Sequence, residues 1–201
     1  MIEAADKKRE SILEKAILRF AHFGIQKTTM NEIAEDLAIS KPSLYYYFPD
    51  KLSMVMAVAE KILNDYLQQA EEKITKADSA QGALFSVIDL RREFFKKYFM
   101  LHIGETQGES NYNNPDFKRL LQNVRDREKN LVKALFESRF EEKSSFSFDL
   151  AAELYLDTII GLGICIMGRQ EKQLVPDSKG IEEVSAKQKA LTEIFLKGLE
   201  N

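Results

Sequence analysis

"TTMNEIAEDLAISKPSLYYYF", residues 28–48, decides how this chain folds. Thr29 is a good helix N-cap, and Glu32 three residues later completes a capping box. Ile33, Ala34 and Leu37 fall on one inward face of a helix that lasts barely two turns before Ala38 and Ile39 break it. Ser40 then caps a second short helix, with Pro42 in its first turn, where the missing N–H costs nothing. On a wheel of 100° per residue, Leu44 and Phe48 form the buried stripe of that second helix. Tyr46 lies opposite them, with Pro42 and Ser43 nearby on the outer face, and Tyr45 and Tyr47 flank the stripe. Three consecutive tyrosines therefore present one exposed ring and two half-exposed ones. With Lys41 and Ser43 beside them, their hydroxyls suit phosphate oxygens and their rings suit thymine methyls and sugars.

Outward from this stretch the whole chain reads as helical. Only 9 glycines and 4 prolines interrupt 201 residues, and apolar side chains recur at spacings of three and four throughout. A first helix is expected from about residue 6 to 22, with Ile12, Leu13, Ala16, Ile17 and Phe20 inward and Gly24 as its stop. Pro49 and Asp50 separate the tyrosine helix from a long one at about 50–73, whose apolar face is Leu52, Val55, Ala59, Ile62, Tyr66 and Leu67. Further long helices are expected at about 80–102, 117–140, 148–167 and 181–199, with polar loops at 104–116 and in "EKQLVPDSKG".

Composition narrows the function classes. Hydrophobic residues make up 44% and charged residues 30%, which suits a globular protein with a real core. The single cysteine, Cys165, rules out a disulfide framework and suits a reducing cytoplasm; its place in an apolar run reads as a small core residue. The charged start "MIEAADKKRESILEK" has no apolar region of a signal peptide, and "TIIGLGICIMG" is far short of the roughly 20 residues that span a bilayer. A soluble, cytoplasmic protein is expected. The net charge of −3 gives no hint of a polyanion partner, and residues 1–51 hold eight basic and eight acidic side chains. Any nucleic-acid reading must rest on local segregation of charge, with Lys7, Lys8 and Arg9 as a candidate basic arm and helix N-termini at Thr29 and Ser40 offering N–H groups.

Two short helices with a small residue, Ala34, at their crossing and a tight turn between them have the spacing of a helix-turn-helix. The TT pair, the I-A pair, the S-K-x-x-L-Y-x-Y-F run and the following D-K-L together resemble the N-terminal domain of the TetR family of bacterial transcriptional regulators. The resemblance covers about residues 6–66, with the helix-turn-helix proper at 29–48. It implies an all-α chain: a three-helix DNA-binding domain at 6–66, then a larger helical ligand-binding and dimerisation domain at 67–201. Carried onto this sequence, the DNA-facing residues are Thr29, Asn31, Lys41, Pro42, Ser43, Tyr45, Tyr46 and Tyr47, with Lys51 as a phosphate contact. The expected activity is that of a homodimeric repressor that binds a palindromic operator and is released by a small molecule. At Ala38 the family usually has glycine; a left-handed alanine there costs on the order of 1 kcal/mol.

The C-terminal half carries fewer signals. Phe95, Tyr98, Phe99, Tyr112 and Phe117 are candidates to line an effector cavity, although Phe85, Ile88, Arg92, Phe95 and Phe99 at helical spacing are equally explained as core. Gly161, Gly163 and Gly168 in a helix that is apolar nearly all round suggest burial on two sides, by its own core and by a second subunit. The resemblance implies that the helices at about 117–140 and 148–167 make that dimer contact. His102 with Glu105 and Glu109 has metal-like spacing but lacks a cysteine or second histidine nearby, so no metal and no cofactor is expected. With only two histidines, no glycine-rich phosphate loop and no nucleophile–histidine–acid set, an enzyme is not expected. The competing readings are a helical small-molecule or lipid-binding protein, and a DNA-binding regulator controlled by a protein partner.

Overall fold

The computed structural model describes residues 2–98, 114–141, 147–167 and 178–200. Among them are eight α-helices and no strand, so the fold is all-α. In chain order these are α1 (Ile2–Lys27), α2 (Met30–Asp36), α3 (Lys41–Tyr47), α4 (Lys51–Lys76), α5 (Ala80–Tyr98), α6 (Pro115–Arg139), α7 (Phe148–Met167) and α8 (Ser178–Glu200). The chain divides into two compact units, Met1–Asn64 with Lys97–Leu121, and Asp65–Lys96 with Gln122–Asn201.

The first unit carries the short helices. α1 is interrupted at Gly24, whose φ of 80° and ψ of 155° only glycine adopts without strain, and a last turn follows it to Lys27. The Thr28 hydroxyl donates to the Gly24 carbonyl at 2.9 Å and so fixes the kink. Ile12, Leu13, Ala16 and Phe20 are buried as their spacing predicts, whereas Ile17 is only half-buried. The caps expected at Thr29 and Ser40 are present, and the structure adds a third at Asp50. Thr29 and Glu32 form the capping box of α2, Ser40 accepts from the Ser43 N–H at the start of α3, and Asp50 accepts from the Ser53 N–H at the start of α4. α2 packs against both α1 and α3.

The expected apolar face of α4 holds except at its first turn. Val55, Ala59, Ile62, Tyr66 and Leu67 are buried, but Leu52 is exposed. Burial begins two residues later, at Met54, because the first turn lies outside the core that the rest of the helix covers.

In the second unit the core is centred on Phe136, which is fully buried. The rings of Phe140, Phe148, Tyr155 and Phe195 lie 6.1–6.5 Å from it, and Tyr155 and Phe195 also meet each other at 5.3 Å. Around them Ala83 and Leu84 of α5, Val132 and Leu135 of α6, Ala152, Leu156 and Ile159 of α7, and Leu196 of α8 complete one cluster. α7 and α8 are joined by buried polar bonds as well. Gln188 donates to the Ile159 carbonyl at 2.9 Å, and the Tyr155 and Thr192 hydroxyls lie 2.9 Å apart.

Two expectations are corrected here. Cys165 is exposed and does not belong to the core. α7 is apolar on two sides, so its hydrophobicity alone could not tell which side faces its own unit; Ile159 and Ile166 face inward, while Leu150, Leu154, Ile164 and Cys165 face out. Phe95 is likewise exposed and not core, because the buried stripe of α5 runs through Leu84, Val87, Ile88 and Leu90.

Candidate nucleic-acid interface

α3 presents the side chains singled out by its sequence. Leu44 and Phe48 are buried, Tyr46 is 81% exposed, Tyr45 is 41% exposed and Tyr47 is half-buried. The Tyr46 and Tyr47 rings meet edge to face, with centroids 5.2 Å apart. Lys41 and Pro42 are exposed beside them, Ser43 is half-buried, and Thr29 and Asn31 are exposed at the start of α2. The helix is anchored through one face and leaves three phenols, one ammonium and one hydroxyl on or near the other.

The turn before α3 is a Schellman motif. The Ile39 N–H donates to the Ala34 carbonyl and the Ala38 N–H to the Glu35 carbonyl, each at 3.0 Å. That motif needs a left-handed residue after the cap, and Ala38 supplies it with a φ of 50°. The alanine thus occupies the position where glycine is preferred, as its sequence context predicts.

Several acidic side chains near α3 are engaged by partners within the unit. Arg19 on α1 binds Asp36 at 2.8 Å and Glu32 at 3.0 Å, and Lys15 stands 4.0 Å from Asp36. The Thr29 N–H and hydroxyl hold the Glu32 carboxyl below the usual carboxylate range, with Arg19 adding to the effect. The Arg19 hydrogen bond does the same for Asp36. Glu10 pairs with Lys61, and Asp50 is spent on the α4 cap. Four of the eight acids of residues 1–51 are thus engaged within the unit, while Lys41 stays outward and makes no ion pair among the described residues.

Two basic residues have internal roles that the sequence did not reveal. The Lys51 ammonium donates to the Gln26 carbonyl at 3.4 Å, which places it on the C-terminal end of α1. Burial lowers its pKa, against the pull of Glu32. The Arg9 guanidinium lies 5.1 Å from the centre of the Phe48 ring, so this member of the basic arm packs on the residue that ends α3.

The five effector-cavity candidates are placed less usefully. Phe95 is exposed, Tyr98 is half-buried with the Lys97 ammonium 5.0 Å from its ring, and Phe117 is buried. Phe99 and Tyr112 lie outside the described residues, as do Gly168, His102, Glu105 and Glu109. Among the described residues no group of three His, Cys, Asp or Glu side chains could hold a metal ion, and no helix is long and apolar enough to cross a membrane.

The sequence reading missed a buried polar cluster in the second unit. The Tyr66 hydroxyl on α4 donates to Glu128 Oε1 on α6 at 2.5 Å, and Arg91 on α5 binds both partners. Burial alone would disfavour the charged guanidinium, but the attraction of Glu128 more than reverses that and holds it charged. Burial also pushes the Tyr66 phenol well above its ordinary value. A charged residue in step with Leu84, Val87 and Ile88, and another in step with Val124 and Val132, were the available signals.

Comparison with known proteins agrees with this geometry. Residues 12–58 match the sequence profile of "Bacterial regulatory proteins, tetR family". The chain is 35% identical over 96 residues to the HTH-type transcriptional regulator RutR of Escherichia coli strain K12, a stretch that covers 47% of this chain and 44% of that protein. It is 29% identical over 96 residues to the nucleoid occlusion factor SlmA of Actinobacillus pleuropneumoniae serotype 5b, covering 45% and 48%. These matches span less than half the length of the curated relatives. A transcriptional regulator from Cytophaga hutchinsonii of known structure is similar over 96% of this chain and 99% of its own, with a TM-score of 0.82 and 27% identity. A tetR-type helix-turn-helix head at residues 12–58, and a helical chain similar nearly end to end to a solved transcriptional regulator, support a TetR-family transcriptional regulator.

Proposed function

We propose that the chain is a cytoplasmic, homodimeric DNA-binding repressor, whose two heads read half-sites of a palindromic operator and whose helical second unit takes a small-molecule effector. The observation that carries this reading is the outward face of α3, with Tyr46 exposed directly opposite buried Leu44 and Phe48. A ring held out on a two-turn helix, flanked by Lys41 and Ser43, suits base edges and phosphates in a major groove. In this reading Thr29, Asn31, Lys41, Pro42, Ser43, Tyr45, Tyr46 and Tyr47 face DNA, and Lys51 exchanges its carbonyl for a phosphate on binding.

The dimer seam favoured by the exposed apolar side chains is formed by α7 and α8. Leu150, Leu154, Gly161, Ile164 and Cys165 lie along one outward stripe of α7, and α8 contributes Ile194, which like Ile164 is 69% exposed. α6 has no large exposed apolar side chain among its described residues, so the pairing of α6 with α7 expected from the resemblance gives way to α7 with α8. An effector acts by binding one spacing of the two heads better than another.

The test is selection of duplexes from a random pool by the purified full chain, with sedimentation run in parallel. Enrichment of a palindrome with half-sites about one helical turn apart, bound by a dimer, supports the reading. A monomer, or a pool that never converges, overturns it.

A further inference from the structure

The Tyr66–Arg91–Glu128 cluster has one donor too many. Arg91 uses Nε and Nη2 on the Tyr66 hydroxyl, and Nη2 also on Glu128. The phenol in turn donates its proton to Glu128. Arg91 Nη1 is sealed from water and has no hydrogen-bond partner among the described residues. Buried donors of a charged group are almost always paired, because leaving one unpaired forfeits its hydration with nothing in return. The Arg91 side chain as a whole keeps 26% of its surface exposed, although its Nη1 does not. Around the cluster lie Leu67, Ala70, Val87 and Leu90, with Phe94 edge-on to the Tyr66 ring at 5.6 Å. The surroundings are apolar, and the atom that lacks a partner is a donor.

Resting on the proposal that the second unit takes an effector, we infer that Arg91 Nη1 is the polar anchor of that effector, and that the ligand is an uncharged, largely apolar molecule bearing a carbonyl-type acceptor. Charge balance selects the class. Glu128 already neutralises Arg91, so a carboxylate brought to the same point would leave a net negative charge among apolar side chains. An ammonium has no acceptor to offer and would meet the guanidinium. A ketone, ester or amide oxygen accepts from Nη1 and leaves the ion pair intact.

Isothermal titration calorimetry of the full chain with three ten-carbon probes, 2-decanone, decanoate and decylamine, tests this. 2-Decanone is expected to bind at least tenfold more tightly than either charged probe. The paired variant Arg91→Met with Glu128→Gln removes both charges together, so no buried ion is stranded, and circular dichroism checks its fold. It is expected to lose at least tenfold in 2-decanone affinity. Preference for decanoate or decylamine, equal 2-decanone binding by the paired variant, or no 2-decanone binding by the wild type overturns the inference; equal binding by the paired variant would mean that a water completes Arg91. Calorimetry needs no DNA, so a failure of the duplex selection and a failure of this anchor are separate results.

Discussion

Replacing Ala38 by glycine should make the head more stable. Ala38 holds a φ of 50° because the Schellman motif after α2 needs a left-handed residue at that point. For an L-residue with a Cβ, that conformation costs roughly 1–2 kcal/mol through the clash with the following carbonyl. Glycine escapes the clash but brings a more flexible unfolded chain, worth about 0.4–1 kcal/mol in the other direction. Ala38 is exposed, so deleting its methyl group leaves the core as it was. The difference leaves a net stabilisation of about 0–1.6 kcal/mol, centred on about 0.8. A β-branched residue at the same position tightens the clash, so Ala38→Val should destabilise by more than Ala38→Gly gains. Because the chain divides into two units, a single global transition is not assumed. Native-state amide exchange over residues 30–47, alongside urea denaturation, reads the head directly. Slower exchange in Ala38→Gly and faster exchange in Ala38→Val is the expected pair. If glycine speeds exchange or leaves it unchanged, the strain assigned to this turn does not exist.

Six other substitutions probe the head, the seam and the acid limb. Lys51→Ala should weaken selected and random duplexes alike and lower the salt slope by about one counterion, whereas Tyr46→Ala should narrow the gap between them by roughly 1–3 kcal/mol for each base edge no longer read; binding isotherms at two salt concentrations separate the two. Leu44→Ala should unfold the head, at a cost of about 2–5 kcal/mol, since Leu44 is fully buried; amide exchange over the same residues 30–47 reads it. A Cβ at Gly161 would meet nothing within 4 Å, while one at Gly163 would meet Gln188 Nε2 at 3.5 Å and Val184 at 3.8 Å. Gly161→Leu should therefore leave the protomer folded and weaken the dimer, and Gly163→Leu should disturb the α7–α8 packing itself; sedimentation and thermal melts distinguish them. In acid, the folded-state pKa values of Glu32 and Asp36 lie below their unfolded ones, so their contribution is present above about pH 4 and is lost as pH falls through the depressed values. Arg19→Met should flatten that acid limb, most of all through Asp36, as followed by urea midpoints between about pH 3 and pH 6.

The difference between what the sequence disclosed and what it concealed is one of range along the chain. Everything that shapes the head is written within a few residues: Thr29 with Glu32, Ser40 with Ser43, Asp50 with Ser53, Gly24 with Thr28, and Leu44 with Phe48. Caps and helical periodicity act over three or four positions, so the caps at Thr29 and Ser40 and the Leu44–Phe48 stripe were legible before any fold was known. The Asp50–Ser53 cap and the Thr28–Gly24 bond were not read. The Arg91 cluster joins positions 25 and 37 residues apart, and each member alone passes for part of an ordinary helix face. Lys51 and Arg9 show the same limit within the head itself. Local context marks Lys51 as a phosphate contact and Arg9 as part of a basic arm, but only the fold brings Gln26 under the one and Phe48 under the other. Cys165 failed for a different reason. Hydrophobic spacing identifies a buried stripe only when the opposite face is polar, and α7 is apolar on both. That same ambiguity is the physical case for a second copy of the chain: a helix with Leu150, Leu154 and Ile164 left in water has not finished burying its apolar surface.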